Sequence, residues 1–342
     1  MAAAHRQDPG HDRLRQRAAT LVLTIVAALA APALAAPRVL LYATDDTPQL
    51  RAAQRGVREA LGATPVVEIP VGDTGARLKA AAHEDPDAAI ITLGPQAAMR
   101  AARDAPLLAA IDCMSTQAGA SAQAVPAAIP LEQQLTWLKR LLPGARYIGV
   151  LYDPAQNTEL VDALATALRG TDLNPVLAPV ATPAMLPAAL ARLSSSADAL
   201  LAVPDTTVYK RETVKALLLF SFRHKLPLIG LSEAWVQAGA LYALDWDYRE
   251  LGAFCGRLAL RQLPGARVAT PTPPHPHVYV NLRSARLFRV HWDESVRGSI
   301  TRRRSFSASS ISMFASLIKL RGRFRSSFEV CWKIFQLSDL TN

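Results

Sequence analysis

The sequence predicts an α/β protein of two lobes, each a parallel sheet wrapped by helices. Three observations predict it. Short, nearly all-apolar strands alternate with amphipathic helices, as a parallel sheet covered on both faces requires. The alternation runs through four strands, breaks at an Ala/Pro-rich segment (Ala118–Pro130), and then restarts. Of the 342 residues, about 307 remain once a leader is set aside, room for two ordinary domains.

Arg13, Arg15 and Arg17 precede an apolar stretch from Ala18 to about Ala31. Ala33-Leu34-Ala35 then offers the small-x-small pattern that signal peptidase cuts after. A secretory signal over 1–35 is expected, with delivery to the periplasm. The apolar stretch is shorter than the ~20 residues a membrane span needs. Beyond it, Arg38–Tyr42 reads as a strand. Leu50, Ala53, Val57 and Leu61 mark one face of a helix over Gln49–Leu61, stopped by Gly62. Pro65–Val71 is the next strand, Leu78–His83 a helix and Ala88–Leu93 a third strand. Pro95–Arg103 is a helix with proline at its first position, where the missing N–H is no loss. Leu107–Asp112 is the fourth strand, and Ala118–Pro130 is a candidate hinge.

The second lobe opens with a helix whose face carries Leu131, Leu135, Leu138 and Leu142. Tyr147–Tyr152 is a strand. Leu160, Leu164 and Leu168 mark a helix ended by Gly170. Pro175–Val180 is a strand, and Thr182-Pro183 is an N-cap followed by proline, opening a helix to about Leu193. Ala199–Val203, Leu228–Leu231 and Ala240–Leu244 are strands, with a helix over Glu212–His224. A helix over Arg249–Leu263, a Pro/His linker (Thr270–His277) and a strand at Val278–Asn281 follow.

The formal charge of +10 suggests a nucleic-acid partner, but its distribution argues against one. Residues 1–35 carry +2 and residues 301–342 carry +6, so the body holds only +2. Residues 301–342 also hold nine of nineteen serines, five of nine phenylalanines and no proline, unlike the Ala/Leu/Pro-rich body. They read as out-of-frame or fused sequence added after a domain end near Gly298. The alternative is a genuine extension with a basic amphipathic helix around Met313–Arg325. Cys113, Cys255 and Cys331 are odd in number and widely spaced. Free buried thiols are the expectation, with a Cys113–Cys255 bridge left open.

Parallel sheets bind ligands beyond the carboxyl ends of their strands, where helices begin. In lobe one that rule selects Asp45, Asp46 and Thr47, then Gly94, Pro95 and Gln96, then Asp112–Ser115. In lobe two it selects Tyr152, Asp153 and Asn157, then Asp205, Thr206 and Thr207, then Ser232 and Glu233, then Asp245, Trp246, Asp247 and Tyr248. The set suits a small polar solute, although Asp, Asn, Ser and Thr are favoured there as caps regardless. Trp246, in a segment joining the lobes, is expected to be exposed to ligand. For Trp235, within a predicted helix, core packing and stacking on a flat ligand are both open.

Residues 143–154, Pro-Gly-Ala-Arg-Tyr-Ile-Gly-Val-Leu-Tyr-Asp-Pro, with Asn157, resemble the start of the second lobe in ABC-transporter substrate-binding proteins. The resemblance is to those of the type I periplasmic binding protein fold, in the branch of tryptophan/tyrosine-binding lipoproteins. Residues 197–208, 227–233, 239–241 with 247–252, and 278–287 extend it. The resemblance implies two Rossmann-like lobes joined by a multi-stranded hinge. By family pattern, lobe one is 36–130 with 246–270 and lobe two is 131–245 with 271–296. It implies one ligand held between the lobes, near Thr47, Gly94, Asn157, Asp205, Glu233 and Asp247, and a permease as partner. Carboxylates at Asp45, Asp205, Glu233 and Asp247 suit an amine and the helix N-termini suit a carboxylate, which together suggest a small, amino-acid-like zwitterion. A monomer is expected. Asp153 stands where asparagine is commoner in the family, and Trp246 where a smaller residue is usual.

No phosphate loop or nucleophile elbow occurs. His275 and His277 lack further metal ligands, so no enzyme, cofactor or metal is expected. Two rivals remain: a ligand-sensing receptor subunit, and a secreted two-lobe α/β enzyme.

Overall fold

The computed structural model describes residues 38–115 and 122–304. The expected leader, most of the basic tail and Cys331 lie outside the described residues. The described residues fall into two compact units, unit 1 holding those up to Ala128 and Asp247–Pro274, unit 2 holding Ile129–Trp246 and those from His275 on.

Unit 1 contains β1 (Val39–Ala43), α1 (Pro48–Leu61), β2 (Val66–Ile69), α2 (Ala76–Glu84), β3 (Ala89–Leu93), α3 (Pro95–Asp104), β4 (Ala109–Cys113), β5 (Ala122–Val125) and α9 (Tyr248–Gln262). Its sheet runs β2-β1-β3-β4-β5, all parallel. Every residue of β1 and β3 is buried, because helices cover both faces. Helix α9 returns from far along the chain to pack on α1, β3 and β4. Glycines permit that crossing: a Cβ on Gly252 would lie 2.0 Å from the Ala53 carbonyl oxygen, and one on Gly56 would lie 1.8 Å from that of Arg249.

Unit 2 contains α4 (Leu131–Leu141), β6 (Tyr147–Tyr152), α5 (Pro154–Ala167), β7 (Asn174–Pro179), a 3₁₀ turn (Pro183–Met185), α6 (Leu186–Leu193), β8 (Ala199–Leu201) and α7 (Arg211–His224). It continues through β9 (Leu228–Gly230), α8 (Glu233–Ala238), β10 (Tyr242–Asp245), β11 (His277–Asn281), α10 (Leu282–Leu287), α11 (Glu294–Gly298) and β12 (Arg302–Arg304). Its sheet runs β12-β11-β10-β9-β8-β6-β7, parallel except where β11 pairs antiparallel with β10. Leu138, Ile148, Val150, Leu193, Leu217 and Val280 form part of its core. The α/β class of two mostly parallel sheets is therefore the architecture observed.

Several expectations need correction. Cys113 and Cys255 are bridged, tying β4 to α9 across 142 residues of sequence; tertiary return of α9 brings together cysteines that spacing alone cannot pair. The candidate hinge segment also holds β5, which adds an edge strand to the unit 1 sheet, while the division between the units falls within it, at Ala128–Ile129. Thr182 makes no side-chain cap, because the chain turns through Pro183–Met185 before α6 begins. The body also runs past Gly298: Ile300 is buried in the unit 2 core, and Thr301 exchanges two hydrogen bonds with Val278. The first residues of the basic tail then extend the sheet as β12.

Candidate functional site

In unit 1 the strand-end positions are mainly caps and turns. Thr47 caps α1, its hydroxyl accepting from the Leu50 N–H at 3.2 Å. Asp46 is exposed and paired with Arg51 at 2.9 Å. Gly94, at φ 90°, turns the chain from β3 into α3, a conformation open to glycine and strained for other residues. Gln96 is exposed on the first turn of α3. Asp247 caps α9 by accepting from the N–H groups of Arg249 and Glu250. Asp112 is buried and accepts from the Thr92 hydroxyl at 2.6 Å.

Unit 2 brings its candidates together at the ends of β6 and β8. Tyr152 closes β6, and Asp153 caps α5. Asn157 leaves helical geometry at φ −128°, ψ 19°, kinking the first turn of α5. The kink turns its amide onto the neighbouring loop, where Nδ2 donates to the Pro204 carbonyl (3.0 Å) and to Asp205 Oδ2 (2.8 Å). Asp205 Oδ2 also accepts from the Asp153 N–H (2.6 Å), while Oδ1 accepts from the N–H groups of Thr207 and Val208. Four hydrogen bonds thus hold the buried Asp205 carboxylate, and Asn157 serves it. In this structure both side chains fasten the two strand-end turns to each other.

The exposed rim of this network is built by Gln156, which the sequence reading did not single out. Its Nε2 donates to Asp153 Oδ2 (2.9 Å) and to the Thr207 hydroxyl (2.8 Å). Its Oε1 accepts from the Thr206 N–H (3.2 Å) and hydroxyl (2.7 Å). Asp153-x-x-Gln156 has the spacing of an N-cap and its N3 residue, but the amide meets the cap's side chain and the facing loop, while the cap's backbone N–H donates to Asp205. The Thr207 hydroxyl donates to Asp153 Oδ2 at 2.7 Å. Hydrogen bonds from Thr207, the Ala155 N–H and Gln156 hold the Asp153 carboxyl below the usual carboxylate range.

Elsewhere in unit 2, Asp245 accepts from the N–H groups of Glu233 and Trp246, linking the starts of α8 and of the segment after β10. Trp246 is buried, at 8% exposure, against the expectation that it would be exposed. An indole is among the largest apolar surfaces a chain can remove from water, which favours its burial. Trp235 packs on the core, edge-on to Tyr209, the first of the two readings its position allowed. Among the described residues, no group of three or more His, Cys, Asp or Glu could hold a metal ion, and no helix is long and apolar enough to cross a membrane.

Polar turns at the ends of parallel strands stand where such sheets bind ligands. The chain belongs to the ABC transporter substrate binding protein family, matching it over residues 88–301. That is a family of binding proteins, not of enzymes. The chain is 26% identical over 191 residues to a tyrosine-binding protein of Clostridioides difficile. That match takes in 53% of this chain and 55% of the relative, so the chain spans about half the relative's length. The fold resembles the ligand-free, open structure of a substrate-binding protein with adhesive properties from Clostridium difficile. There the TM-score is 0.63 at 17% identity, over 79% of this chain and all of that one. It also resembles an ABC domain from Streptococcus pneumonia in complex with L-Trp, with TM-score 0.53 at 18% identity, over 78% of this chain and all of that one. Both likenesses are of fold.

Proposed function

We propose that this chain is the periplasmic solute-binding component of an ABC importer and that its ligand is an amino acid of the aromatic class. The observation that carries the reading is the network at the ends of β6 and β8, within a chain of this family. It gathers hydroxyls, amides and carboxylates at the edge where parallel sheets bind ligands. The relatives that bind tyrosine and L-Trp support the ligand class. The Cys113–Cys255 bridge supports a location outside the reducing cytoplasm, as does the leader-like sequence of residues 1–35.

A thermal-shift screen against amino acids, sugars, nucleosides and anions tests it. A ligand that binds only the folded protein raises Tm by mass action. L-Tryptophan or L-tyrosine is expected to give the largest rise. A rise confined to sugars or nucleosides would overturn the ligand class.

A further inference from the structure

We propose that the Gln156 carboxamide is a built-in stand-in for the ligand, occupying the place that the carboxylate and ammonium of an amino acid take when it binds. The inference rests on the reading of the chain as an amino-acid-binding protein.

The orientation of the carboxamide is fixed by its partners. The Thr206 N–H can only donate, so the atom it meets at 3.2 Å is the amide oxygen. The Asp153 carboxylate, held ionised, can only accept, so the atom 2.9 Å from its Oδ2 is the amide nitrogen. The acceptor end of the amide therefore faces two donors, the Thr206 N–H and hydroxyl. Its donor end faces a carboxylate and the Thr207 hydroxyl. An α-amino acid presents the same pair of groups at nearly the same separation, with full charges. Its carboxylate suits the two Thr206 donors and its ammonium suits Asp153, and charge-assisted hydrogen bonds outweigh neutral ones. Gln156 and Thr206 lie at the protein surface, so the exchange needs only rotation of one side chain. Asp205 and Asn157, committed beneath, keep the turns in place while it happens.

On this account Gln156 lowers affinity by competing with the ligand. Calorimetric titration of the full chain with L-tryptophan compares wild type with Gln156→Ala. The variant is expected to bind about three- to tenfold tighter, the effect of freeing about one net hydrogen bond. Gln156→Ser, too short to reach Thr206, is expected to do the same, and ligand-free melts of both variants check their folding. Thr206→Val in the Gln156→Ala background is expected to abolish the gain. L-Tryptophanamide, which lacks the carboxylate, and indole-3-propionate, which lacks the ammonium, are expected to gain less than about twofold. Unchanged or weaker binding of L-tryptophan by folded variants would overturn the proposal, as would gains for the two analogues as large as the gain for L-tryptophan. If folded wild type binds neither L-tryptophan nor L-tyrosine, the functional reading itself fails, and the stand-in with it.

Discussion

Reducing the Cys113–Cys255 bridge perturbs unit 1 at the point where its chain returns. Helix α9 belongs to unit 1 yet begins more than a hundred residues after β5, so the bridge closes a loop of 142 residues. In the chain-entropy treatment a loop of that length is worth about 5 kcal/mol at 25 °C, and measured bridges more often give about 2–4 kcal/mol. With a urea dependence of about 1.5 kcal/mol per molar for a unit this size, the midpoint should fall by about 1–3 M on reduction. The assay is urea unfolding of the same protein with and without dithiothreitol, followed by far-UV circular dichroism and by hydrogen exchange of β4 and α9 amides. The four tryptophans among the described residues, Trp137, Trp235, Trp246 and Trp292, belong to unit 2. Tryptophan fluorescence should therefore move less than exchange in β4 and α9. A Cys113→Ala/Cys255→Ala variant should no longer respond to reductant. Equal midpoints with and without reductant would refute the reasoning, as would alkylation of both thiols in the unfolded, unreduced protein.

Asp205→Asn places an amide N–H₂ opposite the Asp153 N–H and the Asn157 amide, both donors, and should cost unit 2 about 3 kcal/mol by urea unfolding followed by tryptophan fluorescence. Gly252→Val puts a branched side chain where a Cβ already meets the Ala53 carbonyl at 2.0 Å; it should cost unit 1 about 3 kcal/mol or more, or prevent soluble expression. The folded-state pKa of Asp153 is depressed, so its contribution to stability is complete above the ordinary aspartate value of about 3.9 and is lost as pH falls through the lower folded value. Fluorescence-monitored melts below about pH 4 should therefore show a steeper acid loss for wild type than for Asp153→Asn.

Local pattern made most of the fold legible. The strand Tyr147–Tyr152 stands at the bounds that its apolar run between a Pro-Gly turn and Asp-Pro indicates. Helix α1 ends at Leu61, with Gly62 at its C-cap. The strand β5 was not legible, because Ala122-Gln123-Ala124-Val125 has little β-branched character and acquires its identity from pairing with β4. The disulfide was not legible either, since it depends on α9 crossing α1 rather than on cysteine spacing. Within the candidate site, the strand-end rule located the polar turns but could not assign their roles. An aspartate after a parallel strand can meet a ligand or satisfy backbone N–H groups, and for Asp205 four protein donors take up its carboxylate. The kink at Asn157 that makes this arrangement depends on the facing loop at Pro204. Gln156 looked like an ordinary surface residue of a first helical turn until its partners across the turn were known.

The most direct measurement is equilibrium dialysis of the purified full chain against labelled L-tryptophan and L-tyrosine. The account predicts saturable binding of one or both, one molecule per chain, with a Kd of about 10 μM or tighter and competition by the other amino acid. Folded protein that retains no label at millimolar ligand would contradict it.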